Sequence, residues 1–179
     1  MRTVQVYNPA TNRWALASSL PDKKTAAVFG GCGTIVGDTI YVLGGARFEK
    51  FYPASRSFYK GAINRSNPLE ITWYKAGEYP GELRYRSAAY SEGNKIYFVG
   101  GSNETYNYNG ISYLKKEPVE PNATALLYSI ESGTFIIKPS SIRIMDLRNV
   151  VEIGRNHFIV GGMKEHQKVT DEVILLKNE

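Results

Sequence analysis

Cysteine is nearly absent from this 179-residue chain: Cys32 stands alone, so no intrachain disulfide is possible. Histidine is almost as scarce. His157 and His166 are the only two, and with one cysteine they make no zinc-ligand spacing. No metal or cofactor is expected. Long apolar runs are missing, which excludes a helical membrane span. Met1-Arg2-Thr3-Val4-Gln5 lacks the apolar core of a signal peptide. A soluble protein is expected, either cytoplasmic or exported after removal of a signal. Basic runs are missing too. The net charge is +5, but Lys23-Lys24 and Lys115-Lys116 are the only Lys/Arg pairs, so no nucleic-acid stripe is present. No phosphate-cradling loop is present either, because Gly30-Gly31-Cys32-Gly33 leads into a strand pattern rather than a helix.

What the chain does contain is one phrase written three times. It reads Ile40-Tyr41-Val42-Leu43-Gly44-Gly45, then Ile96-Tyr97-Phe98-Val99-Gly100-Gly101, then His157-Phe158-Ile159-Val160-Gly161-Gly162. Each is a short β-branched and aromatic run, too short for a globular helix, stopped by a glycine pair. Gly37-Asp38, Gly93-Asn94 and Gly154-Arg155 precede the three runs without gaps. Gly beside Asp or Asn between apolar runs predicts a tight hairpin. The strands before the turns are therefore expected over Cys32 to Val36, Ala88 to Glu92 and Asn149 to Ile153.

A second marker keeps step. Trp14, Trp73 and Phe135 each open a strand after a polar turn, at spacings of 59 and 62, while the glycine pairs recur at 56 and 61. Two markers of nearly equal period, with about four short strands per unit, predict propeller blades. Counting strands gives a half blade over 1–21, blades over 22–80 and 81–139, and a three-strand partial blade over 140–179. The whole chain, 1–179, is read as a single propeller region. These thirteen strands do not divide into closed four-stranded blades. The chain is expected to belong with missing blades, supplied by a longer chain or by a second copy in a ring of about six.

These residues resemble the kelch repeat, in which an apolar strand ends in Gly-Gly and a later aromatic marks the outermost strand. The stretches Gly100 to Ile111, Glu117 to Pro121, Met145 to Arg148, and Gly161 to Thr170 resemble bacterial kelch proteins sharing the galactose oxidase central-domain fold. Lys168 to Val173 is similar to a strand of the sialic acid epimerases. The resemblance implies an all-β, kelch-type β-propeller of about three blades of four antiparallel strands. It implies a ligand face built from loops after the second strand of each blade and loops leading into the first. The loop Ser102 to Tyr113 falls there, with three tyrosines, three asparagines and a glycine. Tyrosine faces stack on sugar or peptide, and asparagine both donates and accepts. The candidate ligand-binding residues are Arg47, Arg86, Asn103, Tyr106, Tyr108 and Arg148, with Arg84 a further arginine from the same loops. Guanidinium suits carboxylate or phosphate. Arg86 matches the arginine that usually precedes the first strand. No catalytic set emerges. A protein or glycan binding module is the expected function, with a carbohydrate-active enzyme of the oxidase or epimerase type as the alternative.

Overall fold

The computed structural model describes residues 2–21, 28–107, 109–177. Its first two strands, β1 (Val4–Asn8) and β2 (Arg13–Ala17), form a hairpin across the Asn-Pro-Ala-Thr turn. A first blade follows: β4 (Cys32–Val36), β5 (Thr39–Leu43), β7 (Ser57–Ile63) and β8 (Ile71–Glu78), hydrogen-bonded in that order. A second repeats it with β9 (Ala88–Glu92), β10 (Lys95–Val99), β11 (Thr124–Ser129) and β12 (Phe135–Pro139). A third sheet stops at three strands, β13 (Val151–Ile153), β14 (Asn156–Met163) and β15 (Val169–Leu176). All pairings are antiparallel.

The hairpins predicted from Gly37, Gly93 and Gly154 are present. Val36 pairs with Thr39, Glu92 with Lys95 and Ile153 with Asn156, leaving two-residue turns. Each first-position glycine has φ near +60° (58, 56 and 64°), which side chains resist. The third copy differs from expectation, because its first strand begins at Val151 rather than Asn149.

Besides a 3-10 turn over Glu165–Gln167, two features lie outside the sequence reading. One is a short ribbon of β3 (Val28–Phe29) with β6 (Ala46–Arg47). The other is a single helical turn, α1 (Ile111–Lys115), within the tyrosine-rich loop.

Alternate residues of each strand face opposite neighbours. Tyr41, Leu43 and Phe58 of the first blade pack against Ala89, Ile96, Phe98, Leu126 and Tyr128 of the second. The other side of the second blade, Ala88, Tyr90, Tyr97, Val99, Ala125 and Leu127, packs against Ile144, Leu147 and Ile159. Burial of one such aliphatic or aromatic side chain contributes about 1.5–3 kcal/mol.

The glycine pairs do more than stop strands. A Cβ on Gly44 would lie 2.4 Å from the Arg84 carbonyl oxygen, and one on Gly100 2.3 Å from that of Ile144. Gly45 donates to the Arg84 carbonyl at 2.8 Å, and Gly101 to that of Ile144 at 2.9 Å. The pair is therefore where the connector into the next blade meets the backbone of the previous one.

Arg84 anchors that junction with its side chain as well. Its guanidinium donates to the carbonyls of Gly100 at 3.1 Å and Thr124 at 2.8 Å, and the residue is 1% exposed. Both terminal nitrogens are thus engaged within the junction, while Nε has no hydrogen-bond partner.

Candidate functional site

Three connectors lead into the innermost strands, and they repeat one local geometry. Phe29 pairs with Ala46, Tyr85 bridges Ser102 and Met145 bridges Met163, each partner lying just past a glycine pair. The following residues, Gly30, Arg86 and Asp146, have φ of 62, 51 and 60°. The gapless alignment puts Leu147 in this slot of the third copy. The structure puts Asp146 there, because the third copy carries one extra residue between connector and strand. The slot thus holds nothing, a cation and an anion in successive blades.

Arg86 and Asp146 form an ion pair across the blade junction, both side chains mostly covered. Arg148 approaches the same carboxylate at 3.5 Å but is 72% exposed. The Arg86 guanidinium also lies over the rings of Tyr85 and Tyr106, at 5.5 and 5.9 Å to their centroids. Burial works against its charge, but the hydrogen bond to Asp146 and the nearby tyrosines outweigh it and raise its pKa. Tyr106 is 8% exposed and its hydroxyl has no hydrogen-bond partner. Burial first, and the Asp146 charge second, push that phenol up, while Arg86 pulls against them. It stays protonated at neutral pH, a buried donor facing a carboxylate and a guanidinium.

An aromatic wall adjoins this cluster through Tyr85. Phe29 meets Tyr85 edge-on at 5.8 Å, and Phe48 and Tyr52 pack on Phe29 at 5.1 and 5.5 Å. Gly30 makes room for it, since a Cβ there would stand 2.6 Å from the Tyr85 ring. Phe29, Phe48 and Tyr52, with Thr105, Asn107 and Asn109, line a cavity of about 280 Å³. Phe51 and Tyr52 hold left-handed φ values of 66 and 49°, uncommon for bulky residues. The Thr105 hydroxyl pins them by donating to the Phe51 and Tyr52 carbonyls at 3.2 and 3.0 Å. Tyr106 itself lines a second cavity of about 360 Å³ with Ser112, Tyr113, Lys116 and Glu117.

The candidate residues separate under this geometry. Arg86, Tyr106 and Arg148 converge on Asp146. Arg47 lies at the ribbon, 3.5 Å from Glu49. Asn103 turns back on the connector, its side-chain oxygen accepting from the Leu83 amide at 2.6 Å. Tyr108 lies outside the described residues, as do 22–27 of the first connector. Asp146, Tyr85, Phe29, Phe48 and Tyr52 were not picked from sequence. A signal for two of them existed: Phe29-Gly30 and Tyr85-Arg86 stand at the same distance before their glycine pairs.

Neither histidine joins the site. His157 packs on Tyr90 at 4.6 Å, and His166 lies 3.0 Å from Glu120. Among the described residues, no group of three or more His, Cys, Asp or Glu is placed to hold a metal ion. Among them also, no helix is long and apolar enough to cross a membrane.

No protein-family profile matches the sequence. A 97-residue segment, 54% of this chain, is 34% identical to the N-acetylneuraminate epimerase of Pasteurella multocida (strain Pm70). That segment covers 22% of the epimerase. The solved structure of YjhT superposes with a TM-score of 0.75 at 16% identity, over 99% of this chain and 50% of that one. The chain thus spans about half the length of a solved protein whose architecture it shares. Blade order, glycine-pair junctions and this likeness agree: the chain has the kelch-type β-propeller fold.

Proposed function

We propose that the chain is a kelch-type binding module whose loop face takes an acidic saccharide. The observation that carries this reading is the convergence of two arginines on one carboxylate. Asp146 neutralises Arg86, which leaves the exposed Arg148 as an unbalanced cation near Tyr85. A carboxylate would match Arg148, and a sugar ring would stack on Phe48 or Tyr52. Of the two ligand classes open from sequence, the small concave aromatic cavity favours a glycan over a protein.

Isothermal titration with N-acetylneuraminate and with neutral N-acetylglucosamine tests it. Only the acid is expected to bind, and Arg148→Gln is expected to weaken it about tenfold, the loss of one charge-assisted hydrogen bond. Equal binding of both sugars, or an unaffected Arg148→Gln protein, would refute the reading.

The segment shared with an N-acetylneuraminate epimerase supports a second reading, in which the bound sugar is also epimerised. Proton NMR of the sugar with the protein present separates the two. Faster exchange between epimers than in buffer marks the enzyme.

A further inference from the structure

We propose, resting on the acidic-saccharide reading, that the cavity beside Tyr85 takes an N-acyl group of that ligand and that Asn107 selects it. The cavity, of about 280 Å³, has two unlike sides. Phe29, Phe48 and Tyr52 form one, and Asn107 with Asn109 the other. None of the described residues lining it carries a charge. An ionised group buried there would lack a partner, which is costly. Nor do the rings make a cage for a cation. They pack on one another, with centroids 5.1, 5.5 and 6.3 Å apart.

The edge of the Asn107 amide that faces the cavity is fixed from outside it. Arg86 donates to Asp146 on one side and meets the Tyr85 phenol on the other. Burial raises the pKa of that phenol and keeps it protonated, while Arg86 pulls against burial by charge and by a hydrogen bond. The phenol oxygen thus accepts from Arg86, and its own proton goes to the Asn107 side-chain oxygen. Tyr85 is fully buried, so a turned amide would leave that proton without an acceptor. Asn107 Oδ1 is therefore held toward Tyr85, and Nδ2 remains as a donor with no partner among the described residues. A donor facing an aromatic wall fits an acyl group, whose carbonyl oxygen accepts while its methyl covers the rings. A hydroxyl would accept but leave the wall bare. Tyr85 touches no ligand here and is a positioning residue.

Isothermal titration compares two acids: N-acetylneuraminate, and the same nonulosonic acid with a hydroxyl in place of the acetamido group. The first is expected to bind about tenfold tighter, as for one added hydrogen bond. Asn107→Leu is expected to bring that ratio to about one, and Tyr85→Phe to lower it about threefold. Equal binding of the two acids by the parent protein overturns the acyl subsite and leaves the acidic-saccharide reading standing. Failure of both acids to bind overturns both. An Asn107→Leu protein that weakens the two acids alike, with the ratio unchanged, also overturns the subsite, because the side chain then serves only the fold.

Discussion

At the scale of single residues, the buried polar groups divide into those that hold the blades together and those that face the loops. Cys32 belongs to the first kind. It accepts a hydrogen bond from the Ser87 hydroxyl at 3.2 Å across the blade junction. Burial, only partly offset by Ser87 and Arg84, pushes its pKa from 9.0 up to about 11. Burial pushes the Tyr79 phenol up as well. Both groups are neutral acids whose folded pKa exceeds the unfolded one, so the unfolded chain loses its protons first. The stabilisation from Cys32 is full below pH 9 and falls as pH rises through the interval to about 11, while that from Tyr79 begins to fall only above pH 10. Cys32 alone carries roughly 3 kcal/mol across that interval. Urea midpoints should fall between pH 8.5 and 10.5, and Cys32→Ala should flatten the first part of the fall. At pH 8 the folded protein should not react with a thiol reagent until urea unfolds it. A fast-reacting thiol there would contradict the burial of this side chain.

At the scale of elements, the repeated phrase was readable from sequence because its parts are local. A two-residue turn, an alternating strand and a glycine pair all lie within about fifteen residues. The site was not, because Arg86 and Asp146 lie 60 positions apart and meet only when two blades pack. One inserted residue also moves Asp146 out of the gapless alignment. Arg84 and Arg86 show the same limit: two arginines, two apart, one bonded to carbonyls within a junction and one facing the loops. Only the distance to the glycine pair distinguishes them, and it does not say which one bonds carbonyls.

The glycine pairs give this scale its prediction. Gly100 has φ of 62° and a backbone oxygen 2.3 Å from any added Cβ, whereas Gly161 has φ of 65° and only the Thr170 oxygen at 3.3 Å. Ala at Gly161 meets the left-handed cost alone, about 1–2 kcal/mol. Ala at Gly100 must also push the Ile144 connector away and should cost about 3 kcal/mol or more. Thermal unfolding of the two variants measures the difference. Equal losses would mean that the first glycine of the pair serves the strand end and not the junction.

At the scale of the whole molecule, the third sheet presents outward the face that its predecessor buries. Tyr97 and Val99 of the second blade, with Leu127 across from Tyr97 and with Ala125, are packed against the third sheet. Their counterparts are Phe158 and Val160, opposite Leu175 and Val173. Val160 and Val173 are 59% and 63% exposed, and Val151 and Ile153 extend the apolar surface. We propose that further blades cover this face, as the half-length match to a solved propeller suggests. Thirteen blade strands in sheets of two, four, four and three fit that arrangement better than they fit two copies. At a junction between copies the three-stranded sheet would meet the two-stranded hairpin, making five strands where a blade has four.

The isolated chain should therefore self-associate through a face whose residues add nothing to its own core. Val160→Lys combined with Val173→Glu places an opposite-charge pair on cross-strand neighbours, which a sheet accepts. Light scattering at rising concentration should show less association for the double variant. Its thermal stability at low concentration should stay within about 0.5 kcal/mol of the parent, as for other surface changes. A loss of several kcal/mol would mean that these valines are packed within the monomer. Unchanged association would move the sticky surface to the opposite end, where Trp14 and Leu16 of the first hairpin are 66% and 67% exposed.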